Sequence, residues 1–136
     1  MLNDITTDLT DPPRFVLQRN GPAHFDPAKT AAHRDAYPGL AGGAVLAMPR
    51  DEAFRRAVEA CEAAGWHIVA RDLGAGQIEA VATTRLLRFK DDIAVRLRSA
   101  GDGRTQVDMR SRSRVGRSDL GTNARRIRRF LSQLTG

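Results

Sequence analysis

Four arginines punctuate the run Arg110-Ser111-Arg112-Ser113-Arg114-Val115-Gly116-Arg117-Ser118-Asp119-Leu120-Gly121. A guanidinium carries its N–H donors in a planar fork and keeps its charge, so this spacing suits phosphate, sulfate or carboxylate. In an extended strand, side chains two apart share a face. Gln106, Asp108, Arg110, Arg112 and Arg114 then form one face, and Thr105, Val107, Met109, Ser111 and Ser113 the other. Gly116 supplies a strand-to-helix turn, and Ser118, just after Arg117, is placed to cap the following helix. An anion at that joint would meet free backbone N–H groups and arginine forks together. The expected anion ligands are Arg110, Arg112, Arg114, Arg117 and Ser118.

The same run admits an internal reading. Asp119 follows in the first helical turn, Asp108 lies two residues from Arg110 on one strand face, and Asp91 and Asp92 can pair with arginines on neighbouring strands. These four carboxylates are structural pairing candidates. Buried charges need partners, so the internal buckle is the simpler account of the motif. Ser111 and Ser113, at the end of the apolar face, are expected to bond to nearby backbone. A catalytic version would use Glu79, Asp92 or Asp108 as acid or base, with Arg110, Arg112 or Arg114 clamping a small anionic substrate. No Ser-His-Asp constellation can be argued. His24, His33 and His67 lack metal-ligand spacing, and Gly74-Ala75-Gly76 lacks the third glycine of a dinucleotide loop. Cys61 is the sole cysteine and reads as a core residue. No catalytic residues, metal or cofactor are therefore expected, and the chain leans away from being an enzyme.

Local patterns set the elements that must position these groups. Phe54, Ala57, Val58 and Cys61 give residues 51–64 an apolar helical face, with Gly65 as its terminator. Strands are expected over 66–71, 77–84, 93–98 and 105–113, joined by short turns that favour an antiparallel meander. A last helix is expected from about Asp119 to Leu134, with Leu120, Ala124, Ile127, Leu131 and Leu134 on one stripe and Phe130 at its edge. Arg125, Arg126, Arg128 and Arg129 take its solvated faces. The expected fold class is α+β, a two-layer α-β-β-β-β-α domain with a four-stranded antiparallel meander and two helices on one face. All six prolines lie in the first 49 residues. Residues 1–48 accordingly read as an extended arm packing on the domain 49–136, with Phe15 and Val16 as anchors.

Charge is unevenly distributed. Residues 1–84 carry 8 basic against 11 acidic side chains, and residues 85–136 carry 14 against 5. The basic C-terminal part permits an acidic protein, an anionic lipid surface or nucleic acid as partner. Nucleic acid is disfavoured because Tyr37 and Trp66, the sole Tyr and Trp, fall outside the basic part. The expected function is a non-enzymatic binding or accessory module whose arginine-rich face meets an anionic protein or lipid headgroup. The alternatives are an enzyme for a small anionic substrate and a nucleic-acid binder.

Three blocks carry a family resemblance. The first is Asn3-Asp4-Ile5-Thr6-Thr7-Asp8 with Asp11-Pro12-Pro13-Arg14-Phe15. The second runs from Gly76-Gln77-Ile78-Glu79-Ala80 through Thr84-Arg85 to Phe89-Lys90-Asp91-Asp92. The third is Arg110 to Gly121 with Asn123-Ala124. Together they resemble the domain of unknown function 1499 family. That resemblance implies a bacterial or plastid group, many of whose members carry a membrane segment or export signal ahead of the domain, and it assigns no catalytic residue. No spanning stretch is read in this chain. The expected location is cytoplasmic, with peripheral membrane contact as the variant.

Overall fold

The computed structural model describes residues 2–114 and 121–136. Its elements are β1 (Asp4–Thr6), α1 (Thr30–Ala36), β2 (Ala44–Leu46), α2 (Arg50–Ala63), β3 (His67–Asp72), β4 (Gln77–Thr83), β5 (Lys90–Gly101), β6 (Arg104–Ser113) and α3 (Thr122–Thr135). Short 3-10 turns at Pro27–Lys29 and Pro38–Leu40 flank α1.

The chain is α+β, with three helices and a six-stranded antiparallel sheet. β3 to β6 follow one another as hairpins. The expected four-stranded sheet is corrected by two short strands, β1 and β2, which both pair with β6 along its other edge. β2 takes the first half of β6 (Ala44 opposite Val107, Leu46 opposite Thr105) and β1 the second half (Asp4 opposite Arg112, Thr6 opposite Arg110). Between them the Thr7 N–H donates to the Met109 carbonyl at 3.0 Å. Three-residue strands leave too little alternation to be read, and they exist because β6 offers them an unpaired edge.

Local chemistry explains the main elements. α2 begins after Pro49, with Asp51 and Glu52 in its first turn where the helix dipole favours acids. It ends in a Schellman arrangement. Gly65, at φ 79, donates to the Glu62 carbonyl and Trp66 to the Cys61 carbonyl. The β5–β6 turn is Asp102-Gly103, both at positive φ, as a two-residue hairpin turn requires.

α2 and α3 cover one face of the sheet. Ile78 and Ala80 from β4, Ile93, Val95 and Leu97 from β5, and Val107 and Met109 from β6 pack beneath Phe54, Val58 and Cys61 of α2 and Ile127, Phe130 and Leu134 of α3. Phe130 is a core residue rather than an edge one. It is buried and stacks on Trp66 with ring centroids 5.2 Å apart, while Leu131 is only partly buried. Cys61 is fully buried, and burial pushes its thiol up to about 12, which leaves it inert.

Candidate functional site: an arginine layer beneath the N-terminal arm

The face of the sheet opposite the helices is charged, and residues 7–25 of the arm lie across it. Its buried charged members are Glu79 on β4, Asp92 and Arg96 on β5, and Asp108, Arg110 and Arg112 on β6. Register sets the pattern. Asp92 stands opposite Arg112, Arg96 opposite Asp108, and Ala94 lies between Glu79 and Arg110. The small Ala94 side chain leaves room for the two long ones.

Arg110 is the centre of this layer and is 0% exposed. Its Nε and Nη2 donate to the two oxygens of Asp4 at 2.9 and 2.8 Å, a bidentate pair. Its Nη1 donates to the carbonyls of Pro13 (3.1 Å) and Ala23 (2.7 Å). Phe15 lies beside the guanidinium groups of Arg110 and Arg112, whose central carbons stand 4.7 and 4.0 Å from its ring centroid. Arg112 also donates to the Pro22 carbonyl and to Asp92, and Arg114 donates to Asp92 at 2.9 Å. Burial beside Arg110 holds the Arg112 guanidinium below its ordinary pKa, with Asp92 and Asp4 opposing.

Two further clamps fix the arm. Glu79 accepts the backbone N–H groups of Val16, Leu17 and Gln18 at 2.8, 2.9 and 3.0 Å. Arg96 bridges Asp8 (3.0 Å) and Asp108 (3.6 Å) and donates to the Asp11 carbonyl (2.8 Å). Asp108 accepts the Thr7 hydroxyl at 2.7 Å. Arg98, and then Arg96, hold the Asp11 carboxyl below the usual carboxylate range. At the arm's far end, His33 Nε2 accepts the Thr6 N–H at 3.0 Å. Desolvation lowers the His33 pKa, so the imidazole sits neutral.

The residues singled out in the sequence can now be placed wherever the structure describes them. Arg110, Arg112 and Arg114 do share one face with Asp108. Asp92 pairs with Arg112 and Arg114. Asp108 takes Arg96 rather than Arg110, because Arg110 turns to Asp4. Asp91 lies on the helix-covered face, 2.9 Å from Arg126 of α3. Arg126 is thus a nearly enclosed partner and not a solvated one. Ser111 and Ser113 bond to Asn123 on α3, at 2.6 and 3.1 Å, instead of to nearby backbone. Phe15 anchors the arm, whereas Val16 is 59% exposed. Gly116, Arg117, Ser118 and Asp119 lie outside the described residues. Asp4, Glu79 in its role as a backbone clamp, and Asn123 were missed. An Asp four residues from the N-terminus carries no local mark of a partner so distant in sequence.

A second basic surface lies on the helix side. A cleft of about 700 Å³ is lined by Arg125, Arg126 and Arg129 of α3, Arg85 after β4, and Trp66 with Phe130. Among the described residues, Arg85 and Arg129 make no side-chain hydrogen bond or ion pair, in contrast to Arg96, Arg98, Arg110 and Arg112 of the sheet. No helix among the described residues is long and apolar enough to cross a membrane.

These features define a class: a two-layer α+β domain whose charged sheet face is strapped by its own N-terminal arm. The match of residues 4–134 to the family described as "Protein of unknown function (DUF1499)" makes the identification definite, and the chain belongs to that family. No curated protein shows a significant match.

Proposed function

We propose that the chain is a non-enzymatic binding module for an anionic partner, and that its receiving surface is the α3 cleft rather than the sheet face. The observation that carries this is the contrast between the two arginine sets. Arg96, Arg110 and Arg112 already hold carboxylates and carbonyls of the arm, while Arg85 and Arg129 face a cleft of about 700 Å³ without partners among the described residues. Arg110, Arg112 and Arg114 then serve as the buckle that fixes the arm. An anion reaching them would have to displace Asp4 or Asp92 first. Retention on an immobilised polyanion that falls as salt rises, and that Arg85→Glu with Arg129→Glu abolishes, is the expected result. A chain that associates at low salt with no polyanion, acidic protein or anionic vesicle would overturn the reading.

An enzyme acting on a small anion has one observation in its favour. A hollow of about 660 Å³ is lined by Thr7, His33, Arg34, Tyr37, Arg98 and Asp108 among others. Its two best acid/base groups are already engaged, His33 by the Thr6 N–H and Asp108 by Thr7 and Arg96. Nucleic-acid binding is less favoured because the aromatic pair at the α3 cleft, Trp66 and Phe130, is stacked on itself and Phe130 is buried.

A further inference from the structure

The hairpin between β4 and β5 carries Thr84-Arg85-Leu86-Leu87-Arg88-Phe89. Leu86 is 90% exposed and Leu87 65%. Hydrogen bonds close the turn that presents them. The Thr84 N–H donates to the Phe89 carbonyl at 2.8 Å, the Phe89 N–H to the Thr84 hydroxyl at 2.8 Å, and the Arg88 N–H to the Thr84 carbonyl at 3.1 Å. Arg88 sits at φ 59, a conformation that costs a side-chain-bearing residue energy and that glycine would adopt freely. The chain keeps a cation at this strained position.

Along the hairpin the charge is of one sign. Arg85, Arg88 and Lys90 are exposed, and no acidic residue occurs between Glu79 and Asp91. Arg85 belongs to both the hairpin and the α3 cleft. Two adjacent leucines ringed by cations fit a bilayer interface. The apolar side chains enter the acyl boundary while guanidinium and ammonium groups stay level with the phosphates. A protein partner would need a ready-made apolar pocket for both leucines, and a bilayer needs none.

We propose that the β4–β5 hairpin is a membrane-docking tip. Leu86 and Leu87 insert into the interface of a bilayer containing anionic lipid, with Arg85, Arg88, Lys90 and the α3 cleft against the headgroups. The proposal rests on the anionic-partner reading above and names the partner as a lipid surface. Co-sedimentation with phosphatidylcholine vesicles, with and without phosphatidylglycerol, tests it alongside binding to inorganic polyphosphate as a soluble polyanion. The wild-type chain is expected to sediment only with the phosphatidylglycerol vesicles. The double variant Leu86→Ser, Leu87→Ser should lose at least about tenfold in that binding. It should keep the wild-type melting temperature and its polyphosphate affinity. Wild-type binding to polyphosphate but not to the vesicles, or unaltered vesicle binding by the leucine variant, overturns the docking tip and leaves the anionic-partner reading standing. Binding of neither, nor of any acidic protein, overturns both.

Discussion

Asp4 and Arg110 show what a single side chain decides in this protein. Arg110 is fully enclosed, and its charge is tolerable because a bidentate carboxylate and two carbonyls meet it. Asp4→Ala leaves that charge unmatched and should cost about 3–5 kcal/mol, read as a lower denaturant midpoint at unchanged slope. His33 gives a prediction in pH. Its folded pKa lies below the ordinary histidine value, so the unfolded chain binds a proton first on acidification. Stability from this group is complete above pH ~6.5 and declines as pH falls toward the lowered folded value, with the nearby Asp4 charge partly opposing. The melting temperature of wild type should therefore drop more than that of His33→Gln between neutral and mildly acidic pH. Arg88 works the other way. Arg88→Gly should relieve the positive φ and raise stability by about 1 kcal/mol by denaturant titration, while weakening association with anionic vesicles.

At the scale of elements, the arm is held through its backbone as much as its side chains. Glu79 fixes three successive N–H groups, so these amides should exchange slowly with solvent although Val16 and Leu17 are exposed. Glu79→Gln should speed exchange at residues 16–18, as measured by hydrogen-exchange mass spectrometry, and leave α2 unchanged. The turn before β4 is comparably strict. Gly76 sits at φ 67, and a Cβ there would collide with the Leu97 carbonyl, so Gly76→Ala should cost at least about 2 kcal/mol in thermal or denaturant unfolding. Period-two alternation was enough to place β3 to β6 and to set Asp108, Arg110 and Arg112 on one face. Period-3.6 spacing located α2 and α3. The same logic is blind to β1 and β2, whose three residues each take their conformation from the edge of β6. It is equally blind to Asp4–Arg110 and to Ser111–Asn123, pairs made by tertiary placement with no mark in the local spacing. The arginine run announced charge on one sheet face but could not say that the arm would meet it.

At the scale of the molecule, the two faces of the sheet divide the work. The helix face supplies apolar burial, and the arm face supplies a lattice of charged hydrogen bonds. Both depend on β6, which pairs with β5 on one side and with β1 and β2 on the other. Unfolding should therefore be a single event. Far-ultraviolet circular dichroism and the fluorescence of Trp66 should give coincident transitions, and a separate early transition for the arm would contradict the strapped arrangement.

The Asp4–Arg110 pair spans 106 positions of the chain. The ribosome delivers the carboxylate 106 positions ahead of the guanidinium that holds it. Until β6 emerges, β1 has no edge, Phe15 has no guanidinium to lie against, and the Asp4 charge stays in water. Residues of the arm are thus made long before the partners that fix them, and the strap closes over the sheet only once β6 has been translated.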